Sequence, residues 1–260
     1  MTSLASTSVP TWWWVLCAGV LGLAIGSFWT VVIWRWPRGE SVVHPRSHCT
    51  GCDRTLDAHE LVPVGSWVWQ RGACRGCGSR IHWRYPLVEL STAVLAAGAI
   101  WHFGPTLMGV GAALLAMVLV PVVAIDLEHQ LIPDVIVLPA AAVGLALEIA
   151  AHPDHWWVPV LAALGAGGFL FALWLAYPGG MGLGDVKFAL LLGAVLGVAV
   201  IPALGVAFAA GALLGIVMIA RHGAAARKRA VPFGPFLAAG ALVALVWGST
   251  IVHWYTNQIA

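Results

Sequence analysis

Tyr177-Pro178-Gly179-Gly180-Met181-Gly182-Leu183-Gly184-Asp185-Val186-Lys187-Phe188 sets one carboxylate behind a run of glycines, with apolar sequence on either side. A carboxylate beside hydrocarbon is costly to keep, so it is a functional candidate by default. The glycines let a second backbone approach closely. A second acid stands in a comparable place, Asp126 in Val122-Val123-Ala124-Ile125-Asp126-Leu127-Glu128-His129-Gln130-Leu131-Ile132-Pro133-Asp134. We expect Asp126 and Asp185 to meet near one membrane face and share a proton, while the rest of the chain positions them and delivers a substrate.

The 260 residues are 60% hydrophobic and 9% charged, against about a quarter charged in a soluble domain. That excludes a soluble globular class and predicts an all-α polytopic membrane protein, since each helix in lipid satisfies its own backbone. Apolar windows place about eight transmembrane helices, at about twenty residues per span. They cover 12–34, 86–103, 106–125, 131–151, 156–177, 186–199, 200–220 and 233–252. The sixth is short, and either tilts or is a half-helix opening beside the glycine loop. No basic residue precedes the first run, so it reads as a retained span and not a cleaved signal. Three parts are expected: 1–34 as the first transmembrane helix, 35–85 as a polar insert, and 86–260 as a seven-helix core. Cys17, alone in the first span, reads as a small buried thiol.

All 13 lysines and arginines fall in the insert (Arg35 to Arg84), at Lys187, or at Arg221, Arg227, Lys228 and Arg229. If the first span runs inward, every one of them is cytoplasmic, as the positive-inside rule requires. Asp126 and Asp185 then face the cytoplasm too. The cluster at 221–229 reads as a topology anchor on anionic membrane lipids, and no nucleic-acid partner is expected. Tryptophans at the span ends, such as Trp12 to Trp14, form an interfacial belt.

The insert carries Cys49-Thr50-Gly51-Cys52 and Cys74-Arg75-Gly76-Cys77. Each Cys-x-x-Cys turn presents two thiolates to half of a tetrahedron, so a small zinc-ribbon-like cytoplasmic insert with structural zinc is predicted. A disulfide reading suits the reducing side of the membrane less well. So small a segment buries little core, and metal would supply much of its folding free energy. His44, His48, His59 and His82 read as surface groups.

Hydrolysis without a covalent intermediate needs one group to deprotonate water and another to protonate the leaving group. Two adjacent carboxyls sharing one proton can do both, and such a pair titrates as a unit. Gly182, Gly184 and Lys187 are candidate substrate-loop residues, the loop backbone pairing with an extended substrate. Lys187 is otherwise an interfacial snorkel. The plainer reading of Asp126 is a helix cap, and Asp134, after Pro133, reads as a helix start. Glu128 and His129 face the cytoplasm, and Glu148 sits toward the outer face.

With these residues in hand, the chain resembles the type IV prepilin peptidases, the GxGD membrane aspartyl protease family. The likeness is carried by Gly26-Ser27-Phe28, Val31-Val32-Ile33 and Pro37, the double Cys-x-x-Cys insert, and Pro63 with Ser66-Trp67. It continues through Trp83-Arg84-Tyr85-Pro86-Leu87-Val88-Glu89, Asp126 to Asp134, Gly182 to Lys187, and Pro232-Phe233-Gly234-Pro235-Phe236. The resemblance implies removal of a basic leader from prepilins or pseudopilins of type IV pilus and type II secretion systems, at the cytoplasmic face of the bacterial inner membrane. It also implies methylation of the new amino terminus with S-adenosylmethionine. Asp126 and Asp185 then match the catalytic pair, and Cys49, Cys52, Cys74 and Cys77 the zinc ligands. Glu89 matches a motif residue that either touches the methyl donor's site or pairs with Arg84. Thr30 and Ala73 depart from the family's usual asparagine and basic residue, both near the region tied to methylation. The sequence leaves the oligomeric state open.

The alternative is a proton-coupled transporter with Asp126 and Asp185 as its relay; the acids' place at span ends and the lack of a repeat weigh against it. A zinc scaffold without catalysis is a third reading, which leaves both acids idle.

Overall fold

A computed structural model describes residues 9–177, 179–223 and 231–259, apart from the side chains of residues 222 and 259. Pro178 of the glycine loop and Arg227, Lys228 and Arg229 of the basic cluster lie outside the described residues. The helices are α1 (Thr11–Arg35), a short α2 (Gly65–Trp69), α3 (Arg84–Phe103), α4 (Leu107–His129), α5 (Asp134–Ala151), α6 (Trp157–Ala176), α7 (Leu183–Leu196), α8 (Val200–His222) and α9 (Gly234–Ile259).

Among the described residues, seven helical stretches are long and apolar enough to cross a membrane. One of them, Leu183–Arg221, has 39 residues and would run about 58 Å as a single helix, nearly twice the roughly 30 Å of hydrocarbon. It is folded at Gly197, whose φ of 54° ends α7 before α8 begins. The expected short sixth span is therefore α7, which opens directly behind the glycine loop. The chain is an all-α integral membrane protein.

Close approach builds the first contact. A carbon added at Gly22 or Gly26 of α1 would lie 2.7 Å from the Cα of Ala93 or Glu89 in α3, so the two backbones meet through small residues, as membrane helices often do. Helix α4 runs through the middle of the packing, set against α1, α3, α5, α7 and α9. Its Leu115, Leu119 and Val122 share one core with Phe188, Leu191 and Leu192 of α7 and Leu237 of α9. Cys17 is exposed on α1 and not buried as its apolar setting suggests; on a span whose solvent is lipid, apolar sequence does not mark the inner face.

The polar segment between α1 and α3 is built from two matching knuckles. Cys49 N–H donates to Arg54 C=O and Asp53 N–H to Cys49 C=O, both at 2.9 Å; Cys74 with Ser79 and Gly78 with Cys74 repeat the pattern at 2.9 Å. Asp53 and Gly78, each following the second cysteine of its pair, both take positive φ, 54° and 72°. Pairing in each knuckle is reduced to one bridge, His48 with Thr55 and Ala73 with Arg80. Arg35, at the end of α1, holds the entering loop through the carbonyls of Ser41 (3.1 Å) and Pro45 (2.8 Å).

Candidate active site

Asp126 lies in the last turn of α4 and Asp185 in the first turn of α7, and both are buried, 4% and 6% exposed. Four chain segments converge on them: the end of α4, the reversal into α5, the start of α7 and the start of α9. The reversal begins at Gln130, left-handed with φ 53°, whose N–H donates to the carbonyl of Asp126 at 2.9 Å. Asp126 is close enough for its charge to act on Asp185.

Each carboxylate is held by one backbone amide at a helix start. Gly182 N–H donates to Asp185 Oδ2 at 3.0 Å, and Gly234 N–H donates to Asp126 Oδ2 at 2.8 Å. Amides at helix N-termini carry partial positive charge and suit a carboxylate. The second oxygen of each acid takes no part in these bonds. Gly182 thus caps the helix that carries Asp185. At Gly184 an added carbon would lie 2.8 Å from Ile132 Cβ, so the α4–α5 reversal packs directly on the glycine motif.

Lys187 does not snorkel alone. Its Nζ meets Asp134 Oδ2 at 2.5 Å, tying the first turn of α7 to the first turn of α5. Asp134 is a helix start, as expected, and an ion-pair partner as well. Gly234 was missed as a functional residue, although Pro232-Phe233-Gly234-Pro235-Phe236 was its signal; the sequence does not show which amide it would offer to which acid.

Glu89 is buried in α3 and accepts the Val64 amide at 2.6 Å and a hydrogen bond from Ser27. Arg84 pairs instead with Glu128 of α4, and Glu148 lies 3.4 Å from His152. Val64 has φ 58°, ψ −49°, and Gly65 N–H reaches back to Pro63 C=O at 2.5 Å. This is the strained form of the three-residue turn, fastened to the membrane helix by one carboxylate.

In the insert, the sulfurs of Cys49, Cys52, Cys74 and Cys77 all lie within 4.8 Å of one another. Cys49 and Cys77 Sγ are 3.7 Å apart, too long for a disulfide. It matches the edge of about 3.8 Å that Zn–S bonds of about 2.3 Å give a tetrahedron. Gly51 and Gly76 N–H each donate to the first sulfur of their knuckle at 3.3 Å, stabilising thiolate. Ser79 Oγ lies 3.4 Å from Cys49 and 3.1 Å from Cys77, and together with the Gly51 amide it pulls the Cys49 thiol down to about 6. The site fits zinc. Asp57, His59 and Glu60 also cluster, but Glu60 is committed to Arg54 at 2.6 Å and to the Asp57 amide at 3.0 Å.

Fold and acid pair define a polytopic helical membrane protein with two buried aspartates gathered at one end of the bundle. Comparison with known proteins narrows this. Residues 20–103 match the bacterial peptidase A24 N-terminal domain, and residues 113–220 match the type IV leader peptidase family. A prepilin leader peptidase/N-methyltransferase of Stutzerimonas stutzeri is 36% identical, with 93% of each chain covered. A protein of the same name from Bacillus subtilis is 36% identical over 92% of this chain and 96% of its own. One from Pseudomonas aeruginosa is 34% identical over 93% of each. The chain belongs to the type IV leader peptidase family. No solved structure matches it.

Proposed function

We propose that this protein is a membrane aspartyl endopeptidase that removes the leader peptide of prepilins or pseudopilins through Asp126 and Asp185. The observation that carries the reading is the pair of buried carboxylates, each fixed by one amide through Oδ2. The Oδ1 atom of each acid takes no part in these bonds and is left for the chemistry. In this reading the two acids share one proton, because like charges brought together do not both ionise. The ionised carboxylate takes a proton from water as the water oxygen attacks the scissile carbonyl carbon. The protonated carboxyl donates to the carbonyl oxygen, and a proton then passes to the departing amine as the C–N bond breaks. The roles belong to the pair and not to either residue alone.

Gly182 and Gly184 shape the approach for an extended substrate, and Lys187 borders it. The cytoplasmic face of the bacterial inner membrane is the proposed setting, supported by the gathering of Lys and Arg on one side. Zinc held by Cys49, Cys52, Cys74 and Cys77 would stiffen the insert. The relatives' names support a second activity, methylation of the new amino terminus with S-adenosylmethionine as the methyl donor. Glu89 has one oxygen committed to the Val64 amide, and so fits positioning of the insert better than a direct hold on the donor. The transporter alternative is unsupported, since the relatives carry peptidase names.

The test is cleavage of a prepilin in membranes carrying Asp126→Asn or Asp185→Asn. Each change lowers the rate by about 10⁴-fold, on the scale seen when one member of a catalytic set is removed, with expression unchanged. Cleavage that survives either change overturns the reading.

A further inference from the structure

We propose that Asp134 and Lys187 form a latch that fixes the separation of Asp126 and Asp185, acting as positioning residues; this rests on reading the two aspartates as the catalytic pair. The eight-residue path from Asp126 to Asp134 touches α7 on both sides of Asp185 in sequence. It starts on Asp126 itself, whose carbonyl accepts the Gln130 amide at 2.9 Å. It then lays Ile132 on Gly184, with no room for a side chain. It ends with Asp134 on Lys187 at 2.5 Å.

Gly184 and Lys187 are three residues apart and so share one face of α7. Asp185 projects from the adjacent side, where Gly182 caps its carboxylate. The reversal therefore grips α7 beside the reacting group.

Because α7 is short, its place is set by its neighbours: Phe188, Leu191 and Leu192 anchor its body in the core, and the reversal holds its first turn, where Asp185 lies. The 14 residues of α7 span about 21 Å, less than the roughly 30 Å of hydrocarbon, so matching to the bilayer does not set its depth. In the loop in front, Tyr177, Gly179 and Gly180 are exposed, and contact with the core begins at Met181. A slip of one residue along the axis moves Asp185 by about 1.5 Å, and a 1 Å misplacement of reacting groups can cost about 10²-fold in rate. Lys187 and Asp134 are 34% and 48% exposed, and ion pairs that open to solvent add little to folding stability. Their loss is therefore read in the rate and not in the yield of folded protein.

The experiment compares Asp134→Asn, Lys187→Met and the double variant for prepilin cleavage, with kcat and KM determined separately. Each single change lowers kcat about tenfold and leaves KM within about twofold, and the double variant is no slower than the worse single one, as a shared interaction requires. Full activity of both single variants, or losses that multiply in the double variant, overturns the latch. A second measurement does not use activity: in a Cys17→Ser background, oxidative cross-linking of the Asp126→Cys/Asp185→Cys variant falls several-fold when Asp134→Asn is added. An unchanged cross-link yield also overturns it. Failure of the peptidase reading is seen separately, as cleavage by the Asp126→Asn or Asp185→Asn protein.

Discussion

The backbone amide of Gly234, the first residue of α9, donates to Oδ2 of Asp126 at 2.8 Å across 108 positions of sequence. The contact leaves no space for a side chain, because a carbon added at Gly234 would lie 2.6 Å from that oxygen and 3.1 Å from Cγ. Gly234→Ala therefore pushes Asp126 out of place while α9 stays packed through Leu237 and Ala241. Cleavage falls about 10²-fold, the cost of a roughly 1 Å displacement, with the variant still folded in the membrane. Gly168→Ala serves as the control: nothing lies within 4 Å of a carbon added there, and activity is unchanged.

Ser79 is the residue through which the two knuckles meet, its Oγ 3.4 Å from Cys49 and 3.1 Å from Cys77. Groups that bond to metal ligands from outside typically carry 10–100-fold in affinity. Ser79→Ala should lose zinc to a competing chelator at about tenfold lower chelator concentration. Cys49→Ser should lose the site itself, read as metal content of the purified protein.

The helices were legible because about twenty apolar residues in a row have few other fates, and α7 was legible as the short one beside Gly182 and Gly184. The knuckles were legible from spacing, and the acids from their cost in lipid. The contacts that assemble the site were not. Lys187 finds Asp134, 53 positions away, and Arg84 finds Glu128 and not Glu89. In both cases the partner follows from how helices lie side by side, which no local period encodes. Cys17 was misplaced for a related reason, since a span with apolar residues all round shows no buried face.

Glu60 gives the insert a pH signature. Arg54 at 2.6 Å and the Asp57 amide hold its carboxyl at about 2, below the ordinary 4.5. The folded insert therefore prefers the ionised form more strongly than the unfolded chain does. This stabilisation is complete above about 4.5 and is lost as pH falls toward about 2. Thermal unfolding of wild type and Glu60→Gln should differ most near neutral pH, with wild type the more stable. The difference should shrink through that window. A gap that stays constant down to pH 2 would exclude the ion pair as its source.

Glu89 ties insert to membrane through a single strained residue. Val64, β-branched and at φ 58°, occupies a conformation such residues rarely enter, and its amide is the one that Glu89 accepts at 2.6 Å. Removing the acceptor leaves nothing at that position to hold the turn, so Glu89→Ala should release the segment from Pro63 to Gly72. Amide exchange there should rise about tenfold or more, while the four cysteines, in separate knuckles, keep their zinc. Glu89→Gln retains a side-chain oxygen and should protect the segment nearly as well as wild type. If Glu89→Gln exchanges as fast as Glu89→Ala, the negative charge and not the hydrogen bond is what docks the insert on α3.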